Sequence, residues 1–85
     1  MQVPPCATEL VKRQPDVNQA RFYRLAVWPD LFGGYSLVRE YGRIGQPGKL
    51  HLDPYPEEDQ AVSAMKKLMR RKTRRGYSPL AGIGA

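Results

Sequence analysis

The chain has 85 residues, 41% hydrophobic and 26% charged, with 14 Lys+Arg against 8 Asp+Glu and a formal net charge of +6. A chain of this length is expected to form one domain that buries roughly 60% of its unfolded surface, which excludes a two-lobed enzyme around a cofactor cleft. The basicity is local: Lys66, Lys67, Arg70, Arg71, Lys72, Arg74 and Arg75 crowd into one segment, while all eight acids lie before it, the last being Asp59.

Residues 1–7 include Pro4-Pro5 and read as a flexible lead-in to a domain spanning 8–77. The one cysteine, Cys6, cannot build a disulfide framework or a multi-cysteine zinc site; it reads as an inert thiol in a reducing, cytoplasmic setting. The first 15 residues lack the apolar core of a secretory signal. No apolar run approaches the ~20 residues that span a membrane.

Glu9 to Arg13 is short enough for an edge strand, and Gln14 to Gln19 carries turn residues. Ala20 to Trp28 is aromatic and β-branched. Its alternation sets Tyr23, Leu25 and Val27 on an apolar face against Phe22, Arg24, Ala26 and Trp28. Pro29 to Gly34 is a second turn, Tyr35 to Tyr41 another strand, and Gly42 to Gly48 a glycine-rich loop. Lys49 to Asp53 alternates, which predicts Leu50 and Leu52 inward and Lys49, His51 and Asp53 outward.

The period then changes. Pro56 suits a first helical position, Glu57, Glu58 and Asp59 suit the positive end of the helix dipole, and Ala61, Val62, Met65, Leu68 and Met69 form a helical apolar stripe. Gly76 is the expected stop, and 78–85 reads as a flexible tail. Strands followed by one helix indicate an α+β class: a small antiparallel sheet of about four strands packed against one long amphipathic C-terminal helix.

Catalytic chemistry finds little support. His51 reads as a solvated histidine on the polar face of its strand, and the 57–59 acids fan around a helix start rather than converge on a metal. Gly42, Gly45, Gly48 and Lys49 fail the spacing of a phosphate-binding loop, and Leu50 stands where that loop needs a hydroxyl. No catalytic residue, metal site or cofactor is expected. The basic run is the stronger signal. Lys66/Arg70/Arg74 and Lys67/Arg71/Arg75 are i, i+4 rows of like charge, each pair unfavourable by roughly 0.2–0.5 kcal/mol in an isolated helix. The dipole alone does not require seven cations, so the run points to a polyanion, and nucleic acid is the natural one. Tyr41 and Arg43, two apart at a strand end, point the same way, an arrangement suited to stacking and phosphate contact; Gly42 between them leaves room for a ligand backbone.

Residues 18–77 resemble a WGR domain, the module named for a Trp-Gly-Arg signature and found in poly(ADP-ribose) polymerases and small bacterial proteins. Asn18 to Leu25 resembles its opening strand, Tyr41-Gly42-Arg43-Ile44-Gly45 its signature, Glu57 onward its helix, and Lys72-Thr73 with Gly76-Tyr77 its ending. The resemblance implies a small antiparallel sheet with one long helix and implies nucleic-acid binding. In the polymerases the domain grips DNA near a strand break, with the signature tryptophan on the 5′-terminal nucleotide and the arginine on the backbone. By position, Tyr41 takes the stacking role, Arg43 the phosphate role, Lys72 a basic position near the helix end, and Asn18 an asparagine before the first aromatic strand. Tyr41 departs from the signature tryptophan and offers a smaller stacking surface. The polymerases' catalytic domain has no counterpart here, so the chain is expected not to be an enzyme. DNA is the expected partner, with Lys66, Lys67, Arg70, Arg71, Arg74 and Arg75 adding phosphate contacts. RNA is an alternative, since phosphate contacts carry no sugar or base information. A protein-interaction adaptor using Trp28, Leu31 and Phe32 is another.

Overall fold

The computed structural model describes residues 6–79. The elements are β1 (Cys6–Gln14), a single 3-10 turn (Pro15–Val17), β2 (Gln19–Pro29), β3 (Tyr35–Arg43), β4 (Lys49–Tyr55), α1 (Glu58–Arg74) and β5 (Ser78–Pro79). The strands form one antiparallel sheet in the order β4-β3-β2-β1-β5. Helix α1 packs across one face against β2, β3 and β4, which makes the protein α+β as expected.

Alternation decides which side chains meet the helix. Leu10 from β1, Tyr23, Leu25 and Val27 from β2 and Leu37 from β3 are buried with Ala61 and Met65 of α1; Val62, Leu68 and Met69 complete the predicted helical stripe at the margin of this core. Burying each large aliphatic side chain here stabilises the fold by roughly 1.5–3 kcal/mol. The helix begins at Glu58, two residues after Pro56, with Glu57 as the N-cap and its backbone N–H donating to Gln60 Oε1 at 3.3 Å. It ends at Arg74 with Arg75 as C-cap, followed by Gly76, whose φ of +100° only glycine adopts readily. There the Gly76 and Tyr77 amides donate to the carbonyls of Thr73 and Lys72, both at 3.1 Å, closing the last turn in a Schellman arrangement.

The structure corrects the sequence reading in several places. The sheet has five strands, not about four: Ser78 and Pro79 pair with Val11 and Leu10. Two residues are too few to show an alternation, so this strand left no pattern to read. Strand β1 starts at Cys6 and runs beyond Glu9–Arg13 at both ends, and along Leu10 and Val11 it has neighbours on both sides rather than lying at an edge. Strand β4 runs past Asp53 through Pro54 to Tyr55, and as an edge strand it tolerates the missing N–H of Pro54. The flexible ends expected at 1–7 and 78–85 fall largely outside the described residues.

The largest correction concerns the facing of β4. Pairing sets Arg39 opposite His51 and Glu40 opposite Leu50, so His51 and Asp53 share the helix side with Arg39. Leu50 and Leu52 instead lie on the open face, 62% and 60% exposed. A single step in register exchanges the two faces of a strand, and the β3 pairing overrode the hydropathy of this short segment.

On the open face Phe22 is buried at 5% exposure. It lies beneath Gly42 and Gly48, and a Cβ on Gly48 would come within 2.8 Å of both Phe22 Cζ and the Tyr41 carbonyl oxygen. The strand-end hairpin thus closes over an aromatic ring only because that position has no side chain. Replacing Gly48 by alanine forces a backbone shift. We expect Gly48→Ala to destabilise the domain by about 1–3 kcal/mol in urea or thermal unfolding; a change within about 0.5 kcal/mol, as for an ordinary surface substitution, would contradict this packing.

Candidate nucleic-acid interface

One end of the sheet carries the β1–β2 turn, the β3–β4 loop and the C-terminal half of α1. Register on the helix side builds it in rows. In the outermost row Lys12 stands opposite Arg21, and Arg21 opposite Arg43. Directly opposed side chains lie about 4.5–5.5 Å apart at Cβ, and like charges so placed are destabilising. No acid interrupts this row. Asn18 sits in the adjoining β1–β2 turn with φ 53°, its amide donating to the Pro15 carbonyl at 3.0 Å. Asparagine tolerates that left-handed backbone, so its visible role is to shape the turn.

The next row is aromatic. Tyr23 and Tyr41 are register partners with ring centres 5.0 Å apart and planes 5° from parallel. His51 on β4 lies beside Tyr41, 5.4 Å between ring centres and 3° from parallel, with Nε2 3.0 Å from the Tyr41 hydroxyl oxygen. Tyr41 is thus stacked by Tyr23 on the β2 side and bound at its hydroxyl edge by His51 on the β4 side. Tyr77, placed by the Schellman turn, meets Tyr23 edge-on at 6.2 Å.

Lys72 folds from the helix onto this stack. Its Nζ lies 4.6 Å from the Tyr23 ring centre and 5.8 Å from that of Tyr77, and Lys12 Nζ is 5.9 Å from Tyr77. Burial depresses the Lys72 pKa, and the positive charges of Arg75, Arg71, Arg39 and Arg21 depress it further. The ammonium is thus less favourable here than in water, despite two aromatic rings beside it. Arg39 differs. Burial works against its charge, but the Tyr23 hydroxyl and the Asp53 carboxylate outweigh burial and raise its pKa. Arg39 Nε is 2.8 Å from Asp53 Oδ2, and Arg39 Nη2 donates to Asp53 Oδ1 at 3.4 Å, so an ion pair and a hydrogen bond join the two.

The expected site residues are only partly brought together. Tyr41, Arg43, Lys72 and Arg75 converge at this end. Gly42 points to the opposite face, where its missing side chain makes room for Gly48 Cα, 3.1 Å from where a Cβ would be. The basic run divides around the helix. Lys67 and Arg71 line a groove with Arg39, Asp53 and Asp59, whereas Lys66, Arg70 and Arg74 flank Met69 and Thr73 on another side. Lys12, Arg21, Tyr23, Arg39, His51 and Tyr77 were not singled out from sequence for this site. Arg21 had a usable signal: it shares the parity of Tyr23 two residues later, so it lies on the same face as the Tyr23 ring. Among the described residues, no group of three or more His, Cys, Asp or Glu is placed to hold a metal ion. No helix there is long and apolar enough to cross a membrane.

Lys72 offers a direct test of whether this end is built for stability or for a ligand. Replacing it with methionine keeps an unbranched side chain of similar length and removes a charge the fold holds at a disadvantage. We expect Lys72→Met to leave the melting temperature of the free domain unchanged or raised. A drop of about 4 °C or more, equivalent to roughly 1 kcal/mol in a domain of this size, would mean that the ammonium serves the fold instead.

The sequence pattern of the WGR domain matches residues 6–82. An uncharacterized protein of Sinorhizobium fredii (strain NBRC 101917 / NGR234), y4dW, is 40% identical over 65 residues, covering 76% of this chain and 32% of that protein. The chain therefore spans about a third of the length of this relative. No solved structure matches it significantly. With one helix on an antiparallel sheet, the Tyr41-Gly42-Arg43 segment at a strand end, and a family match over nearly its whole length, the chain belongs to the WGR domain family.

Proposed function

We propose that the chain is a non-catalytic nucleic-acid-binding module whose ligand is DNA, gripped by the cationic row and the aromatic stack at one end of the sheet. WGR domains are nucleic-acid-binding modules, which supports a binding role. The observation that carries the proposal for this chain is the row Lys12, Arg21, Arg43, three cations in register with no acid among them. Such a row works against folding and becomes favourable when phosphates lie along it.

In this reading Arg21 and Arg43 take phosphate oxygens with their planar guanidinium groups. Lys72 and Lys12 add charge from the two sides. Tyr41 presents its hydroxyl edge beside them. Lys66, Lys67, Arg70, Arg71 and Arg74, spread around the helix, contribute a positive field that steers a polyanion toward this end, with fewer direct contacts. Recognition of strand ends or breaks is the finer form of the proposal, because a terminal nucleotide can bring both phosphate and base to one spot.

A gel-shift comparison of blunt, nicked, single-stranded and closed circular DNA at two salt concentrations tests it. If about five phosphates are neutralised, log K falls against log salt with a slope near −4 to −5. Arg21→Ala and Arg43→Ala should each weaken binding about tenfold, the loss of one charge-assisted hydrogen bond of roughly 1.5 kcal/mol. Arg13→Ala, on the opposite face, should change it less than twofold. Binding insensitive to salt, or equal losses in all three variants, would sink the proposal.

A second reading, a protein-interaction adaptor, rests on a different end of the molecule. The Asp30 carboxylate accepts from the Phe32 and Gly34 amides at 2.7 and 2.9 Å, holding a turn from which Leu31 and Phe32 project at 97% and 94% exposure. A chain that binds neither DNA nor RNA but loses a protein partner on Leu31→Ser/Phe32→Ser would favour it.

A further inference from the structure

We infer that the chain pairs with a second copy of itself along the free edge of β4, antiparallel, with the twofold axis at His51. The inference goes beyond the nucleic-acid reading and does not depend on it. The direction of the β4 backbone groups follows from the β2–β3 ladder. At its two ends the Asp30 amide donates to the Gly34 carbonyl at 2.9 Å and the Ile44 amide to the Ala20 carbonyl at 3.0 Å. Hydrogen-bonded pairs recur at every second residue of an antiparallel ladder. Ser36, Val38, Glu40 and Gly42 of β3 therefore turn their backbone groups to β2, and Tyr35, Leu37, Arg39 and Tyr41 turn theirs to β4. Opposite the second set stand Tyr55, Asp53, His51 and Lys49. The intervening Leu50, Leu52 and Pro54 aim their backbone groups outward, where β4 is the last strand of the sheet. The Leu50 and Leu52 side chains are bare as well, at 62% and 60% exposure. An edge with open backbone groups and apolar side chains is a template for another strand.

The sequence of the edge selects the occupant. Turned antiparallel about His51, Lys49-Leu50-His51-Leu52-Asp53 is its own complement. Leu50 of one copy falls opposite Leu52 of the other, and Lys49 opposite Asp53. Each leucine pair exchanges two backbone hydrogen bonds, which uses every outward donor of Leu50 and Leu52. None is asked of Pro54, which has no N–H. Lys49 is exposed and, among the described residues, makes no ion pair within its own chain. Asp53 is joined to Arg39 but its side chain is still 38% exposed, so a lysine from the second copy can reach it. Opposite charges set directly across two strands favour their pairing. Moving the axis to Leu50 or Leu52 keeps the bonding parity but sets Lys49 against His51 or Tyr55 and separates it from Asp53. The contact is isologous: each copy offers the same patch. With the axis normal to the sheet, both α1 helices lie on one side and the leucines of the two copies form one apolar cluster on the other.

The test uses the full chain. In sedimentation equilibrium the wild-type mean mass should rise with concentration from that of one chain toward that of two. Leu50→Lys/Leu52→Lys gathers like charges at the junction and should weaken association about tenfold or more. Both positions are exposed, so in dilute solution its melting temperature should stay within about 4 °C of wild type. Single cysteines in a Cys6→Ser background read the register under mild oxidation. His51→Cys brings two thiols face to face across the axis and should cross-link two copies. Lys49→Cys leaves its two thiols about 13 Å apart along the strands and should cross-link about tenfold more slowly or not at all. A wild type that keeps the mass of one chain up to about 1 mM overturns the inference. A lysine double variant that folds and associates like wild type also overturns it. Cross-linking of Lys49→Cys as fast as that of His51→Cys overturns the register. Should the lysine double variant fail to fold, the two cysteine variants decide alone. None of these outcomes bears on the nucleic-acid reading, whose cationic row lies on β1, β2 and β3.

Discussion

The opposition of Tyr23 and Tyr41 across β2 and β3 is the constraint on which the rest of this end depends. Once those two rings face each other on the helix side, alternation places Arg21 beside Arg43 on one flank and Leu25 beside Arg39 on the other. The same parity carried into β4 brings His51 up to Tyr41. A slip of one residue would turn Phe22 and Arg24 toward the helix and the two rings to the open face, exchanging the two sides of the strand. The pairing is held by the core below it, with Leu25 and Val27 almost fully buried, and by the Phe22–Gly48 closure on the reverse side.

Upon that frame the protein places charge where folding alone would not choose it. Lys12, Arg21 and Arg43 repel one another, and Lys72 is held among four arginines and two aromatic rings. Elsewhere the same chain neutralises its charges. On the open face Arg24 spans Glu9 and Glu40 at 3.2 and 3.3 Å and lies 4.5 Å from the Phe22 ring centre. Exposed pairs of this kind add little stability, typically about 0–1 kcal/mol. They do mark a contrast: one face is electrically balanced within itself and one end is left in need of counter-charge.

Much of this was legible from composition and period. The helix and its stripe, the stop at Gly76, the strand from Ala20 to Trp28 and the shared direction of Tyr41 and Arg43 all follow from spacing, since 3.6-residue and two-residue periods leave clear marks over long segments. What escaped was set by partners distant in sequence. Lys49 to Asp53 alternates convincingly, but alternation gives two faces without saying which is inside. The β3 pairing turns the Leu50 and Leu52 face of β4 away from the helix and the face with the histidine toward the site. Tyr77 is fixed by a Schellman turn whose hydrogen bonds the local sequence only hints at, and β5 is too short for any pattern. The seven clustered cations were visible as a run, but a helix distributes consecutive residues around its axis, and only the register of α1 on the sheet selects Lys72 to meet the rings.

The brief pairing of Ser78 and Pro79 with β1 has a consequence for architecture. The sheet has two outer margins, β4 on one side and β5 on the other, and His51 belongs to the first. By stitching the segment after α1 to the second, the fold holds Ser78 and Pro79 at the margin opposite the histidine. The two margins of one small sheet are thereby put to different uses: one is closed by the segment that follows the helix, and the other leaves the Leu50 and Leu52 side chains and the histidine exposed.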